Sequence, residues 1–133
     1  MRLVQLPAIA VSTFASHGVD MDFLPSVQGG TRTRTTIVRF TAGGVLGMHE
    51  ATLRQVFAVL DGRAVVTSTT PPEGSTSDEP DVRVLKAGQA AIWDVGENHE
   101  TRAVTDLLVA VLETDGELHF REHTDLPPYG RAQ

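Results

Sequence analysis

The sequence predicts an all-β protein built as a single small barrel or jelly roll. Short runs rich in Val, Ile, Thr and Phe are separated by turn residues at intervals of about eight to twelve positions. Helical periodicity is nearly absent, and no repeat of fixed period occurs. The 133 residues suit one domain, which can enclose a core and one ligand cavity.

We divide this domain, residues 1–133, into three parts. They are an N-terminal strand and arm (1–30), a barrel core (31–113) and a C-terminal tail (114–133). The arm starts with a strand-like run and continues into turn residues rich in Ser, Gly, Asp and Pro. Two interpretations stay open for it: an edge strand exchanged onto a partner subunit, or an irregular extension.

The barrel core divides into strands and turns in order. Asp61-Gly62 is a hairpin turn signal between two strand-like runs. Residues 70–81 (TPPEGSTSDEPD) are polar and rich in Pro, which indicates an exposed loop. The predicted strands are residues 31–41, 53–60, 63–69, 82–86, 89–93, 99–104 and 106–113, the last buried on both faces.

Composition excludes several classes of function. The net charge of −6 argues against nucleic acid or an anionic membrane as partner, because both require clustered Lys and Arg. The chain has no cysteine, so disulfides, thiolate nucleophiles and sulfur-ligated metals are excluded. No glycine loop precedes a helix, so no nucleotide cofactor is expected. We interpret residues 1–11 as a strand and predict a cytoplasmic protein, with secretion as the alternative.

Two stretches carry the candidate site. Residues 44–62 and 88–103 each run from a glycine turn to one histidine beside an apolar strand, which predicts that His49 and His99 enter a shared cavity. Such a pair can ligate a metal, act as acid and base near neutral pH, or bind a ligand. The alternative is a pair of hydrogen-bonded cavity histidines without metal.

These stretches resemble the two motifs of the cupin superfamily. The first motif is glycine, five residues, His-x-His, three or four residues, glutamate, six residues and glycine. In this chain its positions hold Gly43, His49, Ala51, Gln55 and Gly62. The spacing fits throughout, but Ala51 replaces a histidine and Gln55 replaces the glutamate.

The second motif is glycine, five residues, Pro-x-Gly, two residues, His, three residues and Asn. Gly88, Asp94, Gly96, His99 and Ala103 stand in those places. Both glycines and the histidine match, whereas the Pro and the Asn do not. The resemblance covers roughly residues 35–113. The segment AAIWDVGENHET resembles the corresponding segment in a subgroup of small single-domain bacterial cupins.

The resemblance implies a barrel with one divalent metal ion, which a typical cupin holds with three His and one Glu. The candidate ligands here are His49, Gln55 and His99, with Glu97 as the candidate carboxylate because it lies two residues before His99 and can point the same way along a strand. The metal would be Fe, Mn, Ni, Cu or Zn. Without a carboxylate, two imidazoles and an amide lack the charge that holds non-haem iron.

We expect Phe57, Trp93 and Thr101 to line the cavity, since Phe57 shares a face with Gln55 and Thr101 with His99. The sequence therefore predicts a small-molecule-binding cupin whose barrel cavity centres on the two histidines and is a candidate site for a divalent metal. The alternative is a metal-dependent oxygenase or isomerase acting on a small metabolite, whose catalytic residues the sequence does not identify. The resemblance also implies a homodimer, because small cupins pair through strands outside the barrel.

Overall fold

The computed structural model of the chain describes residues 1–71, 78–121 and 124–126, which fold almost entirely into strands. In chain order the strands are β1 (Arg2–Gln5), β2 (Ala8–Ala10), β3 (Asp20–Asp22), β4 (Ser26–Gln28), β5 (Thr33–Phe40), β6 (Val45–Glu50), β7 (Arg54–Asp61), β8 (Arg63–Ser68), β9 (Asp81–Lys86), β10 (Gln89–Trp93), β11 (Asn98–Ala103), β12 (Leu107–Thr114), β13 (Glu117–His119) and β14 (Thr124–Asp125).

Two antiparallel sheets form the body of the domain. The six-stranded sheet has the order β14-β1-β10-β7-β12-β5, and the four-stranded sheet has the order β6-β11-β8-β9. In the described part of the chain, β4 with β13 and β2 with β3 form two smaller ribbons. The predicted all-β, single-domain fold is confirmed.

The main core lies between the two sheets. Residues that sit directly opposite each other on neighbouring strands share one face, so the register selects the inward side chains. Each large apolar side chain buried here stabilises the fold by roughly 1.5–3 kcal/mol. The buried members are Leu3, Ala51, Phe57, Val59, Ala64, Val66, Leu85, Ala91, Trp93, Ala103, Leu107, Val109 and Val111.

A second apolar cluster covers the outer face of the six-stranded sheet. Val27 on β4 and Leu118 on β13 pack over it, together with Phe120. This cover explains why β7 is buried on both faces and why its alternation in the sequence is imperfect. The buried members are Val4, Leu6, Val56, Ala58, Ala90, Ile92 and Leu112.

The predicted turn at Asp61-Gly62 joins β7 to β8. Gly62 has a φ of 95°, a left-handed value that side chains with a Cβ adopt at a cost. A Cβ at this position would also collide with the carbonyl oxygen of Asp106. Both constraints require glycine at this turn.

Two local predictions need correction. The strand expected within residues 1–11 is divided into β1 and β2, because Pro7 between them has no N–H for a sheet ladder. His49 does not follow a turn but lies inside β6, a strand that the sequence pattern missed because Gly47 interrupts it.

In the described part of the chain, no helix has the length and apolar character of a membrane span.

Candidate functional site

The two predicted histidines meet at one end of the four-stranded sheet. His99 on β11 and His49 on β6 are direct cross-strand partners, so their side chains leave the sheet on the same face. Their ring centroids lie 4.4 Å apart with an angle of 57° between the ring planes. The structure therefore brings together two imidazoles that are 50 residues apart in the sequence.

Each imidazole is oriented by a backbone carbonyl two residues earlier in the chain. Nδ1 of His49 lies 2.6 Å from the carbonyl oxygen of Gly47, and Nδ1 of His99 lies 3.1 Å from that of Glu97. A carbonyl oxygen only accepts, so Nδ1 donates in both contacts and carries the proton. In the neutral ring, Nε2 then presents a lone pair, which can accept a hydrogen bond or ligate a metal.

His99 is buried deeply and its outer nitrogen is unpartnered. The residue is 2% exposed, and Nε2 has no hydrogen-bond partner among the described residues. Burial lowers the pKa of His99 below the ordinary 6.5, with the nearby His49 acting in the same direction. The hydrogen bond to Glu97 and the charges of Glu97 and Glu113 raise this pKa in part. The ring is therefore neutral at pH 7 and offers one buried acceptor.

Aromatic side chains from the six-stranded sheet pack against His99. The Trp93 ring stacks on His99, with centroids 4.1 Å apart and an interplanar angle of 16°. Phe57 meets Trp93 edge-on at 5.5 Å. Thr101, the next residue of β11 on the same face, is 2% exposed. The three side chains predicted to line the site thus lie against or close to His99, while their role in binding stays a prediction.

Nε1 of Trp93 is a second buried polar atom without a hydrogen-bond partner among the described residues. It is a donor, whereas His99 Nε2 is an acceptor. Buried polar groups are nearly always satisfied, so each such atom requires an explanation.

Gln55 is held by a hydrogen bond to a neighbouring strand of the six-stranded sheet. It lies directly opposite Trp93 on one side and Glu113 on the other. Its Nε2 donates to Glu113 Oε1 at 3.2 Å, and Arg34 pairs with Glu113 Oε2 at 2.8 Å. The amide of Gln55 is therefore engaged with a carboxylate of its own sheet.

Glu97 contacts the histidine pair through its backbone. Its carboxylate accepts from the Ser68 hydroxyl at 3.0 Å and from the Asp94 N–H at 3.0 Å. Oε2 also lies 2.8 Å from the amino group of Met1. Gly96 has a φ of 92°, so the chain is still turning just before Glu97. The carboxylate is held by these groups, and its carbonyl orients His99.

The donor set fits a metal ion at two of the four predicted positions. His49 and His99 each present Nε2 with Nδ1 held by a carbonyl, as metal-bound histidines do. Gln55 and Glu97 would first have to leave their present hydrogen bonds. No group of three or more His, Cys, Asp or Glu side chains converges in the ranges that the structure describes. A metal held here would take its further ligands from water or from a bound molecule.

Glu113 and Arg34 are the residues near the site that sequence reasoning missed. Glu113 lies near the end of β12 on its inward face, directly opposite Arg34 of β5. Its negative charge acts to raise the pKa of His99. The available signal was an acidic residue at the end of an otherwise apolar run. The interpretation of this run as buried on both faces hides that acidic residue.

One surface cavity lies beside the Glu97 loop. Its volume is about 350 Å³, and neither histidine lines it. Its lining residues are Met1, Thr70, Pro71, Asp94, Val95, Gly96 and Glu97.

No protein-family model and no curated protein matches the sequence. Solved structures do match the fold. A cupin superfamily protein from Desulfitobacterium hafniense is 14% identical with a TM-score of 0.52, over 68% of this chain and 75% of that one. RmlC from Streptococcus suis, solved in complex with dTDP-D-xylose, is 17% identical with a TM-score of 0.55. That match covers 63% of this chain and 44% of RmlC.

The fold is the cupin fold. Oxalate decarboxylase from Bacillus subtilis, a protein with Mn(II) centres, also matches, at 14% identity and a TM-score of 0.55. The match covers 66% of this chain and 24% of the decarboxylase. At these identities the likeness establishes the cupin architecture alone. The ligand and the chemistry have to be argued from the residues of the site.

Proposed function

We propose that this protein is a small-molecule-binding cupin whose ligand site centres on His99 and His49. The observation that carries the proposal is the buried, neutral imidazole of His99 with an unpartnered Nε2. A buried acceptor without a partner destabilises the fold by about 1–3 kcal/mol, and a ligand that donates to it removes this penalty. The ligand therefore carries a hydroxyl or an N–H group.

The surroundings of His99 define the rest of the ligand. Trp93 and Phe57 offer aromatic surface, and Thr101 adds a small polar side chain on the same strand face. Cupin pockets that bind small ligands, such as RmlC with its dTDP-sugar, support a small polar metabolite as occupant. The acidic net charge of −6 argues against nucleic acid.

The alternative is a metal-dependent enzyme, an oxygenase or isomerase acting on a small metabolite. It is favoured by the two imidazoles with Nδ1 held by backbone carbonyls and by the Mn(II) centres of oxalate decarboxylase. His49 and His99 would hold the ion, with Gln55 and Glu97 joining only after leaving their present partners. A divalent metal would supply Lewis-acid polarisation of an oxygen atom on the substrate.

Trp93 provides the assay for both functions. It is the chain's one tryptophan and stacks on His99, so its fluorescence reports directly on the site. We expect a panel of sugars, hydroxy acids and amides to contain compounds that change this fluorescence and raise the melting temperature. The responses should disappear in His99→Asn and persist in His17→Asn, which removes an exposed histidine of the N-terminal hairpin. Equal responses in all three proteins would contradict the proposal.

Elemental analysis decides between the two functions. The protein is purified without chelator, incubated separately with Mn²⁺, Fe²⁺, Ni²⁺, Cu²⁺ and Zn²⁺, and desalted. A small-molecule-binding site predicts far less than one metal per chain. Near-stoichiometric metal that is lost in both His49→Asn and His99→Asn would support the enzyme instead.

We also propose a homodimer, since the cupin resemblance implies one. Light scattering after size-exclusion chromatography tests this directly. A monomer at tens of micromolar would exclude it.

A further inference from the structure

Two stacked rings of the site each carry a buried polar atom without a hydrogen-bond partner in the described part of the chain. The atoms are Nε1 of Trp93 and Nε2 of His99. Trp93 is 0% exposed and His99 is 2% exposed. Buried polar atoms in native proteins nearly always have a partner, so the pair indicates a place where a polar group from outside the chain is bound.

The two atoms have complementary hydrogen-bonding roles. The indole Nε1–H of Trp93 can only donate. Nδ1 of His99 donates to the Glu97 carbonyl at 3.1 Å, so Nε2 of the neutral ring carries a lone pair and accepts. One group that accepts and donates through the same atom would therefore satisfy both.

The stacking brings the two rings close enough for one bridging atom. Their centroids lie 4.1 Å apart and the interplanar angle is 16°. Two hydrogen bonds of about 2.9 Å that meet at one oxygen atom span roughly 5 Å. A single oxygen at the edge of the stack can thus reach both rings.

The other polar side chains near the pair are already engaged. Gln55 Nε2 donates to Glu113 at 3.2 Å, and the Ser68 hydroxyl donates to the Glu97 carboxylate at 3.0 Å. Binding a ligand at either of these groups would first break an existing hydrogen bond. Recognition of a polar group therefore falls to Trp93 and His99, where no bond has to be broken.

Among common ligand groups, a hydroxyl matches this pair. A carbonyl or ether oxygen accepts from Trp93 but leaves Nε2 of His99 without a donor. An ammonium group donates to His99 but leaves the Trp93 N–H without an acceptor. A primary amide has both functions, but on two separate atoms of a larger planar group, and the near-complete burial of both rings favours a small one.

We propose that Trp93 and His99 together bind one un-ionised hydroxyl group of the ligand. Its oxygen accepts from Nε1–H of Trp93, and its proton is donated to Nε2 of His99. The proposal rests on the small-molecule site proposed above and narrows its ligand to hydroxyl compounds. It also makes Trp93 a residue that determines specificity through its N–H, in addition to offering aromatic surface.

Nuclear magnetic resonance can observe both hydrogen bonds. Trp93 is the chain's one tryptophan, so ¹⁵N-labelled protein has one indole N–H signal. The probes are cyclopentanol, cyclopentanone and cyclopentylamine, which is protonated at neutral pH, each titrated into metal-free protein. Cyclopentanol should shift both the indole N–H and Nε2 of His99, the ketone only the indole, and the amine only the histidine. Because each of the latter two leaves a buried atom unpaired, both should bind roughly tenfold more weakly, or worse.

Trp93→Phe removes the N–H donor and keeps an aromatic ring beside His99. Both the alcohol and the amine can then only donate to His99, so the preference for cyclopentanol over cyclopentylamine should fall close to one. Phe57→Leu is the matched control, because Phe57 packs edge-on against Trp93 and supplies no hydrogen bond. It should lower stability and leave the preference unchanged. Calorimetry measures binding, and circular dichroism verifies folding.

A buried water fits the same position and is the alternative occupant. Cross-relaxation between the indole N–H and water in the free protein detects it, and its displacement by cyclopentanol would support the proposal. A water that stays at saturating cyclopentanol would overturn the proposal, as would equal affinities for the three probes or an unshifted indole signal.

The outcomes also distinguish this hydroxyl bridge from the small-molecule site itself. Responses of the wider compound panel that depend on His99, combined with equal affinities for the three probes, would overturn the bridge and leave the site. A panel without any His99-dependent response would overturn both.

Discussion

At the scale of single residues, His99 is the centre of the proposed site. It is buried, stacked on Trp93, held by the Glu97 carbonyl and left with an unpartnered Nε2. His49 meets it from the neighbouring strand but is exposed. The two histidines therefore differ in exposure: His99 is buried and neutral, and His49 is the member of the pair that solvent reaches.

The lowered pKa of His99 predicts a pH dependence of stability. The unfolded chain has the ordinary pKa and binds the proton first as pH falls. The stability that depends on neutral His99 is thus complete above about pH 6.5, and is lost as pH falls from there through the lower folded-state pKa. Urea unfolding of metal-free protein at pH 8, 6.5 and 5.5 should show this loss.

Two variants isolate the contribution of His99 to that loss. In His99→Asn the decrease in unfolding free energy between pH 8 and 5.5 should be smaller than in the wild type. In His17→Asn it should equal that of the wild type. An identical decrease in the wild type and in His99→Asn would contradict the buried, neutral state.

At the scale of strands and turns, β7 joins the two cores. Phe57 and Val59 face the interior between the sheets, whereas Val56 and Ala58 face the cluster under β4 and β13. Because β7 also lies beside β10 and β12, it positions Gln55 and Phe57 next to Trp93 and Glu113. Changes in this strand should therefore affect stability and site together.

Phe57→Ala should lower the free energy of unfolding by roughly 3–5 kcal/mol, because it removes a fully buried ring that contacts Trp93. Leu60→Ala in the same strand, where Leu60 is 45% exposed, should cost less than about 1 kcal/mol. Urea denaturation measures both. Similar losses in the two variants would show that the interior packing differs from that described.

Two glycines with left-handed φ values, Gly43 before β6 and Gly62 in the β7–β8 turn, give a second comparison of stability. Gly43→Ala adds a Cβ in open space at a φ of 83°, so only backbone strain of roughly 1–2 kcal/mol is expected. Gly62→Ala adds the same strain and a collision with the Asp106 carbonyl, so its loss should be larger. Thermal and urea unfolding should rank the variants in that order. The reverse order would mean that the turn rearranges without cost.

At the scale of the whole molecule, the fold leaves two surfaces incomplete. The β2–β3 hairpin exposes an apolar face, and β5 and β6, which each pair with one strand among the described residues, expose apolar side chains.

The sequence by itself determined the fold class, most strands and turns of the barrel core, and the two histidines of the candidate site. Alternation and turn chemistry are local, so residues such as Asp61-Gly62 and the runs around β7 to β12 indicate their structure from their neighbours alone. The cupin spacing added that His49 and His99 lie together, and their rings are in contact. Pro7 shows the limit of this local reasoning, because one residue divided a predicted strand into β1 and β2.

Only the tertiary structure decided what surrounds the histidines and what remains exposed. Trp93 stacks on His99, Glu113 holds Gln55, and Ser68 holds the Glu97 carboxylate, each through strands or loops far apart in the chain. Such contacts depend on strand register, and a slip of one residue would turn each side chain to the other face. For that reason the residue types of the site were readable in the sequence, whereas their hydrogen-bond partners were not.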